Sequence, residues 1–122
     1  MAVGRIERQK VDRVFDGAVA ATSQDVQELP VVPNNEVWRV TRFGGSEVGT
    51  GDGKASVIVL QLWDGSAWQT IRGFGVVSAV AEVELSRDIR GDGTRKLRVV
   101  RQNKSAAAKQ IIAWLEGFKV SP

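Results

Sequence analysis

The sequence contains no cysteine and no histidine. Their absence excludes disulfide bonds, thiolate nucleophiles, zinc sites of the Cys/His type and acid–base catalysis by histidine. Proline is scarce, with 3 residues in 122, and no apolar run approaches the ~20 residues of a membrane-spanning helix. A domain without disulfides or metal must draw its stability from its core or from neighbouring subunits. We therefore expect no enzymatic activity, no cofactor, no metal and no membrane segment.

Short β-strand patterns recur along the chain, separated by glycine-containing turns such as Asp64-Gly65. The predicted strands cover residues 13–20, 25–29, 36–43, 57–63, 67–72, 79–86, 95–102 and 109–120. About eight short strands at this spacing predict an all-β fold, a single antiparallel β-sandwich with a jelly-roll-like arrangement. We expect this domain to cover residues 13–122. Residues 1–12 are highly charged and predict an extended N-terminal arm, and no secretory signal is expected there.

Alternation along the strands predicts which side chains face the core. In residues 79–86, Ala81, Val83 and Leu85 are expected to point inward while the glutamates between them face water. In residues 36–43, strict alternation places Arg42 on the same face as Trp38 and Phe43 on the opposite face.

The segment of residues 105–117 carries conflicting signals. It has a good helix N-cap, an alanine run, apolar residues at helical spacing and a glycine stop. Read locally, it is a helix. We nevertheless predict a strand from about residue 109, because a lone terminal helix fits poorly after seven strands and a strand here completes the sheet.

Positive charge is concentrated in one part of the chain. Residues 87–109 hold eight basic residues against two acidic ones, a local balance of +6. Interpreted functionally, this segment is an electrostatic patch for an acidic partner, either protein or nucleic acid. A solvated strand face is the alternative. The basic residues fall on both faces of the predicted strand and lack interleaved aromatic residues, which argues against nucleic acid as the partner.

Other motifs have simpler explanations than chemistry. Asp88 and Asp92 supply far fewer oxygens than the ~6–8 ligands that calcium takes, so turn formation explains them better. Glu82 and Glu84 could imitate a glycosidase pair, but a hydrolase usually takes its acid and base from different elements around a cleft. The Arg-Gly-Asp tripeptide at residues 90–92 is best explained as a chance match in a turn. No catalytic constellation is predicted.

The four tryptophans lie in different predicted strands. Trp38 and Trp63 are expected in the core, whereas Trp68 follows a hairpin turn and is expected to be partly exposed. The last strand has apolar residues on both faces, one more apolar face than a surface strand requires. We therefore predict a subunit interface, with core packing or a sugar-stacking platform as alternatives. The predicted interface residues are Trp68, Ile112, Trp114 and Phe118.

Three stretches together resemble the small β-sandwich virion proteins of tailed bacteriophages. These are LPVVPNNEVWRV at residues 29–40, VIVLQLW at residues 57–63 and GDGTRKLRVVRQN at residues 91–103. Similar strand openings occur in capsid decoration (cement) proteins and in tail- or fibre-associated modules. The similarity lies in the residues that open the strands and in their spacing, and it covers most of residues 25–119.

The resemblance implies a structural virion protein, often a homotrimer, that binds the major capsid protein or another virion protein on the capsid surface. The arm and the basic segment would then contact the shell, and the predicted contact residues are Arg5, Arg8, Lys10, Arg95, Arg98, Arg101 and Lys104. A tail, baseplate or head-fibre module is an alternative within the same virion. A carbohydrate-binding module using Trp68 is an alternative of a different class.

Overall fold

The computed structural model describes residues 10–48, 56–76 and 80–120. These ranges contain nine β-strands and no helix, so the all-β prediction is confirmed. The strands are β1 Arg13–Phe15, β2 Ala18–Val19, β3 Gln24–Glu28, β4 Val37–Val48, β5 Ser56–Trp63, β6 Trp68–Val76, β7 Ala81–Arg90, β8 Lys96–Gln102 and β9 Lys109–Val120. The described part of the chain has no helix with the length and apolarity needed to cross a membrane.

The strands form two antiparallel sheets that pack as a sandwich. Sheet A has the order β1-β9-β4-β7, with β2 also pairing with β9. Sheet B has the order β3-β8-β5-β6. The last strand, β9, is therefore an inner strand of sheet A, with β4 on one side and the short strands β1 and β2 on the other.

The core lies between the two sheets and is apolar. Phe43 packs edge-on against Phe74 of the opposite sheet, with ring centroids 5.8 Å apart. The fully buried side chains of the core include Phe43, Ile58, Leu60, Ile89, Leu97, Ile111 and Leu115. In β7, Ala81, Val83 and Leu85 pack against this core while the residues between them are exposed. The inward assignment made for that strand is confirmed.

A β-bulge at Thr41 changes the faces of β4. The register of β4 with both β7 and β9 shifts between Val40 and Arg42. The extra residue reverses the alternation, so Phe43 joins Trp38 and Val40 in the core and Arg42 points to solvent. The sequence-based assignment of Arg42 and Phe43 was therefore wrong. Strict alternation cannot anticipate an inserted residue.

The conflicting segment of residues 105–117 contains no helix, and β9 begins at Lys109 as predicted. Asn103 organises the loop before it: its Nδ2 donates to the carbonyl oxygens of Val19 and Ala107, at 2.9 and 2.8 Å. Its Oδ1 accepts a hydrogen bond from the Ser105 backbone N–H at 2.9 Å. Pairing of β9 on both edges outweighs its local helical propensity.

Residues 10–12 belong to the sandwich. Lys10 forms a β-bridge with Phe118, and the Val11 N–H donates to the Gly117 carbonyl at 2.8 Å. Val11 is 4% exposed and part of the core cluster. The prediction of an arm is therefore wrong for residues 10–12, because one apolar residue anchors this segment. For residues 1–9 the prediction lies outside the described residues.

Candidate functional site

The outer face of sheet A carries three of the four predicted interface residues. Along β9, Ile111, Ala113, Leu115 and Gly117 are buried, and the residues between them are half-buried on the outside. These outward residues are Ile112, Trp114, Glu116 and Phe118. Beside Trp114 on β1 lies Val14, a large apolar side chain with 70% exposure.

Trp114 extends across the neighbouring strand. Its Nε1–H donates to Oε2 of Glu82 on β7 at 2.5 Å, over the backbone of β4. Gly44 of β4 makes this path possible: a Cβ there would lie 2.9 Å from Nε1 of Trp114 and 2.7 Å from the Ala81 carbonyl oxygen. The absence of a side chain at Gly44 therefore leaves the space that the indole of Trp114 occupies on the surface.

Three carboxylates share one guanidinium beside Trp114. Arg42 lies 3.9 Å from Glu82, 4.0 Å from Glu84 and 3.9 Å from Glu116. This group has a net charge of −2, and Glu84 has 85% side-chain exposure. We call the surface formed by Trp114, Arg42, Glu82, Glu84 and Glu116 the acidic face. Glu82 accepts the Trp114 N–H, and both Glu82 and Glu84 lie within ion-pair distance of Arg42.

At the other end of sheet A the charges are paired. Nε and Nη2 of Arg39 donate to the two carboxylate oxygens of Asp88, at 2.6 and 3.0 Å. These hydrogen bonds, with the guanidinium charge, hold the pKa of Asp88 below its ordinary value. The Arg39 guanidinium also lies 5.9 Å from the Phe118 ring centroid. This end therefore adds little net charge to the acidic face.

The outer face of sheet B carries a different cluster. The rings of Trp63 and Trp68 lie 5.4 Å apart in a tilted arrangement. The Arg98 guanidinium lies 4.0 Å from the Trp68 ring centroid, and Lys96 Nζ lies 5.8 Å from it. Trp68 is half-buried, as predicted, but Trp63 is also half-buried on this face instead of in the core. Residues of a strand alternate between its two faces, so an inward Leu62 places Trp63 on the outer face. This alternation was the signal in the sequence for the outward position of Trp63.

Arg98 is held in place from two sides. Its Nε donates to Gln61 Oε1 at 2.6 Å, while the Trp68 ring supports the guanidinium plane. Lys96 pairs with Glu28 at 3.2 Å, whereas Arg98 has no carboxylate partner among the described residues. We call the surface formed by Trp63, Trp68, Gln61, Lys96 and Arg98 the basic face.

Arg101, on the same strand as Arg98, points inward and is 4% exposed. Its guanidinium pairs with Asp25 at 2.7 Å and donates to the Ile111 carbonyl oxygen at 2.5 Å, which links sheet B to sheet A. Burial raises the pKa of Asp25, but hydrogen bonds from Arg101 and Gln27 outweigh burial and hold that pKa below its ordinary value. The prediction of Arg101 as a partner contact is therefore corrected, because alternation places it inside.

The remaining predicted contact residues are spread over the molecule. Lys104 is exposed in the loop before β9, and Lys10 is exposed beside Phe118. Arg95 lies 3.6 Å from Asp92 and donates to the Arg90 carbonyl oxygen at 3.1 Å. Arg5 and Arg8 lie outside the described residues. Of the predicted contact residues, the structure brings Arg98 together with Trp68 and Lys10 together with Phe118, each of which is a predicted interface residue.

Two Asp-Gly turns have the same internal design. Oδ1 of Asp64 accepts from the backbone N–H groups of Ser66 and Ala67, and Oδ1 of Asp92 accepts from those of Thr94 and Arg95. These hydrogen bonds lower the pKa of each aspartate to about 2. Residues 10–48, 56–76 and 80–120 contain no group of three or more acidic side chains arranged to hold a metal ion.

No family model and no curated protein matches the chain. Among solved structures, a chain from the disulfide-linked pili of Bacillus endospore appendages is 14% identical, with a TM-score of 0.48 over 99% of this chain and 97% of that one. Dimeric latent PorU from Porphyromonas gingivalis is 11% identical, with a TM-score of 0.49 over 95% of this chain and 13% of that one. These similarities are too low to carry an argument about function.

Proposed function

We propose that this protein is a non-catalytic structural protein that acts as a homo-oligomer on the outer surface of a bacteriophage capsid. The observation that supports assembly best is the pair of outer faces, each with half-buried tryptophan set among charged side chains. Tryptophan and arginine are the residues most enriched at the energetic centres of protein interfaces. The resemblance of three sequence stretches to phage decoration proteins supports the virion as the setting.

A test of this proposal is cosedimentation with phage capsids. Capsids assembled without this protein should bind the purified chain at a saturable number of equivalent positions. Reversal of charge at the exposed basic residues Lys10 and Lys104 should weaken this binding, whereas reversal at Arg72 and Arg87, two exposed residues outside the predicted contact set, provides a control with the same charge change. Unchanged cosedimentation of the Lys10 and Lys104 variant, or no binding at all, would contradict a decoration role.

Labelling of whole particles distinguishes the two virion locations. A specific antibody should mark the head surface in electron micrographs if the protein decorates the capsid. A label confined to the tail, baseplate or head fibres would support the alternative location.

The carbohydrate-binding alternative has less structural support. A sugar ring stacks on an open aromatic face, but the Arg98 guanidinium lies over the Trp68 ring at 4.0 Å. Binding on a glycan array that disappears in Trp68→Ala would restore this alternative, and an array without binding would remove it.

A further inference from the structure

We propose that copies of this chain associate head to tail, with the acidic face of one copy against the basic face of the next. This inference rests on the homo-oligomer of the proposed function and specifies its contact. The occupant of each face is therefore a second copy of the same chain.

The first argument is the position of the predicted interface residues. Trp114 lies on the outside of sheet A, and Trp68 lies on the outside of sheet B. A symmetric pair uses the same patch on both copies, so it would cover only one of the two tryptophans. A head-to-tail contact joins two different patches and covers both.

The second argument is charge. Two acidic faces placed together would oppose six carboxylates with two guanidinium groups, because each face has three carboxylates around Arg42. On the basic face Lys96 is paired with Glu28, so two basic faces would bring together the guanidinium of Arg98 from each copy without a carboxylate partner. Only the unlike pairing is attractive, and like-charge contacts cost affinity.

The third argument is the state of Arg98. Gln61 and Trp68 hold its guanidinium, so little side-chain freedom is lost when it binds a carboxylate. Among the described residues it has no carboxylate of its own. Glu84, with 85% side-chain exposure, offers such a carboxylate on the acidic face of another copy.

The geometry of a sandwich sets the form of the assembly. The outer faces of two packed sheets look in opposite directions, so each added copy presents a new unused face. Head-to-tail contacts that do not close generate open rows. We therefore expect a distribution of masses that grows with protein concentration, in place of the closed trimer implied by the resemblance.

The experiment uses charge reversal on each face and sedimentation velocity over a series of protein concentrations. The acidic-face variant is Glu84→Lys/Glu116→Lys, and the basic-face variant is Lys96→Glu/Arg98→Glu. Each alone should weaken self-association by at least about tenfold in dissociation constant, or ~1.4 kcal/mol. High salt should weaken the wild-type contact, because exposed charges are screened.

Mixing the two variants gives the decisive result. The reversed acidic face of one variant then meets the reversed basic face of the other, and their unchanged faces also match. The equimolar mixture should therefore recover wild-type masses. A mixture that remains monomeric would overturn the head-to-tail contact.

A matched control carries the same charge change away from both faces. Arg72→Glu/Arg87→Glu alters two exposed residues, with the same charge change as the basic-face variant, and should associate like the wild type. Thermal unfolding of every variant confirms that it is folded. A wild-type protein that stays monomeric at all concentrations would refute the head-to-tail contact. The cosedimentation experiment would still decide capsid binding separately.

Discussion

The two outer faces of the sandwich hold their tryptophans by different means. On the acidic face, Trp114 donates its N–H to Glu82 across the space left by Gly44. On the basic face, the Trp68 ring contacts both the Trp63 ring and the Arg98 guanidinium. Both arrangements fix an aromatic side chain at a partly exposed position, but with opposite surrounding charge. The comparison shows that the two tryptophans lie in surroundings of opposite charge, and this difference is the basis of the proposed contact between unlike faces.

The largest loss of stability is expected from replacing Arg101. Comparison with a replacement of Arg98 distinguishes a buried residue that stabilises the fold from a residue of the basic face. Arg101→Ala leaves Asp25 and the Ile111 carbonyl without their guanidinium, and it should destabilise the protein by about 3 kcal/mol. Arg98→Ala, on the same strand but facing out, should cost less than about 1 kcal/mol. Urea unfolding compares the two variants. Equal losses in the free energy of unfolding would contradict the assignment of Arg101 to the interior and Arg98 to the outer face.

The next effect concerns the glycine that makes room for Trp114. In Gly44→Ala the new Cβ meets the indole Nε1 and the Ala81 carbonyl oxygen at 2.9 and 2.7 Å, so the variant should lose roughly 1–3 kcal/mol. The control is Gly73→Ala on sheet B, where the nearest contacts lie at 3.4 and 3.6 Å and stability should stay within about 0.5 kcal/mol. Thermal unfolding measures both. A tolerated Gly44→Ala would mean that Trp114 is not fixed across β4.

A smaller effect is expected from the contact between Trp68 and Arg98. A double-mutant cycle with Trp68→Leu and Arg98→Met should give a coupling energy of about 0.5–1 kcal/mol, because the guanidinium lies over the ring. Denaturant unfolding of the four proteins provides the measurement. Strictly additive losses would show that the two side chains are neighbours without a stabilising contact.

The smallest effect concerns the Asp-Gly turns, which lie outside both faces. The pKa of Asp64 and of Asp92 is about 2 in the folded protein, below the ordinary value of 3.8, so the unfolded chain binds protons more readily. Their contribution to stability is therefore present above about pH 4 and is lost as the pH falls toward about 2.

Replacement of both aspartates tests this assignment. Asp64→Asn/Asp92→Asn should flatten part of the fall in melting temperature over that acid range, while self-association near neutral pH should remain as in the wild type. An acid profile identical to that of the wild type would contradict the role of the turns. A change in self-association would show that the turns contribute to the faces.

Features that depend on neighbouring residues could be read from the sequence. Asp64-Gly65 predicted a hairpin turn, and Gly65 adopts a positive φ of 106° between β5 and β6. The alternation of Ala81, Val83 and Leu85 predicted the inward face of β7. These patterns succeed because a turn and a strand face are set by local backbone geometry and by the period of two.

Features that depend on a partner strand were decided only in the tertiary structure. The bulge at Thr41 moved Phe43 into the core, and two-sided pairing made a strand of β9 despite its helical pattern. The same pairing separated Arg98 from Arg101 and set Trp68 and Trp114 on opposite faces. Composition and alternation supplied the strands and the candidate residues. The pairing and register of distant strands determined which of these residues lie next to each other, because the packing of the whole domain decides which strands pair.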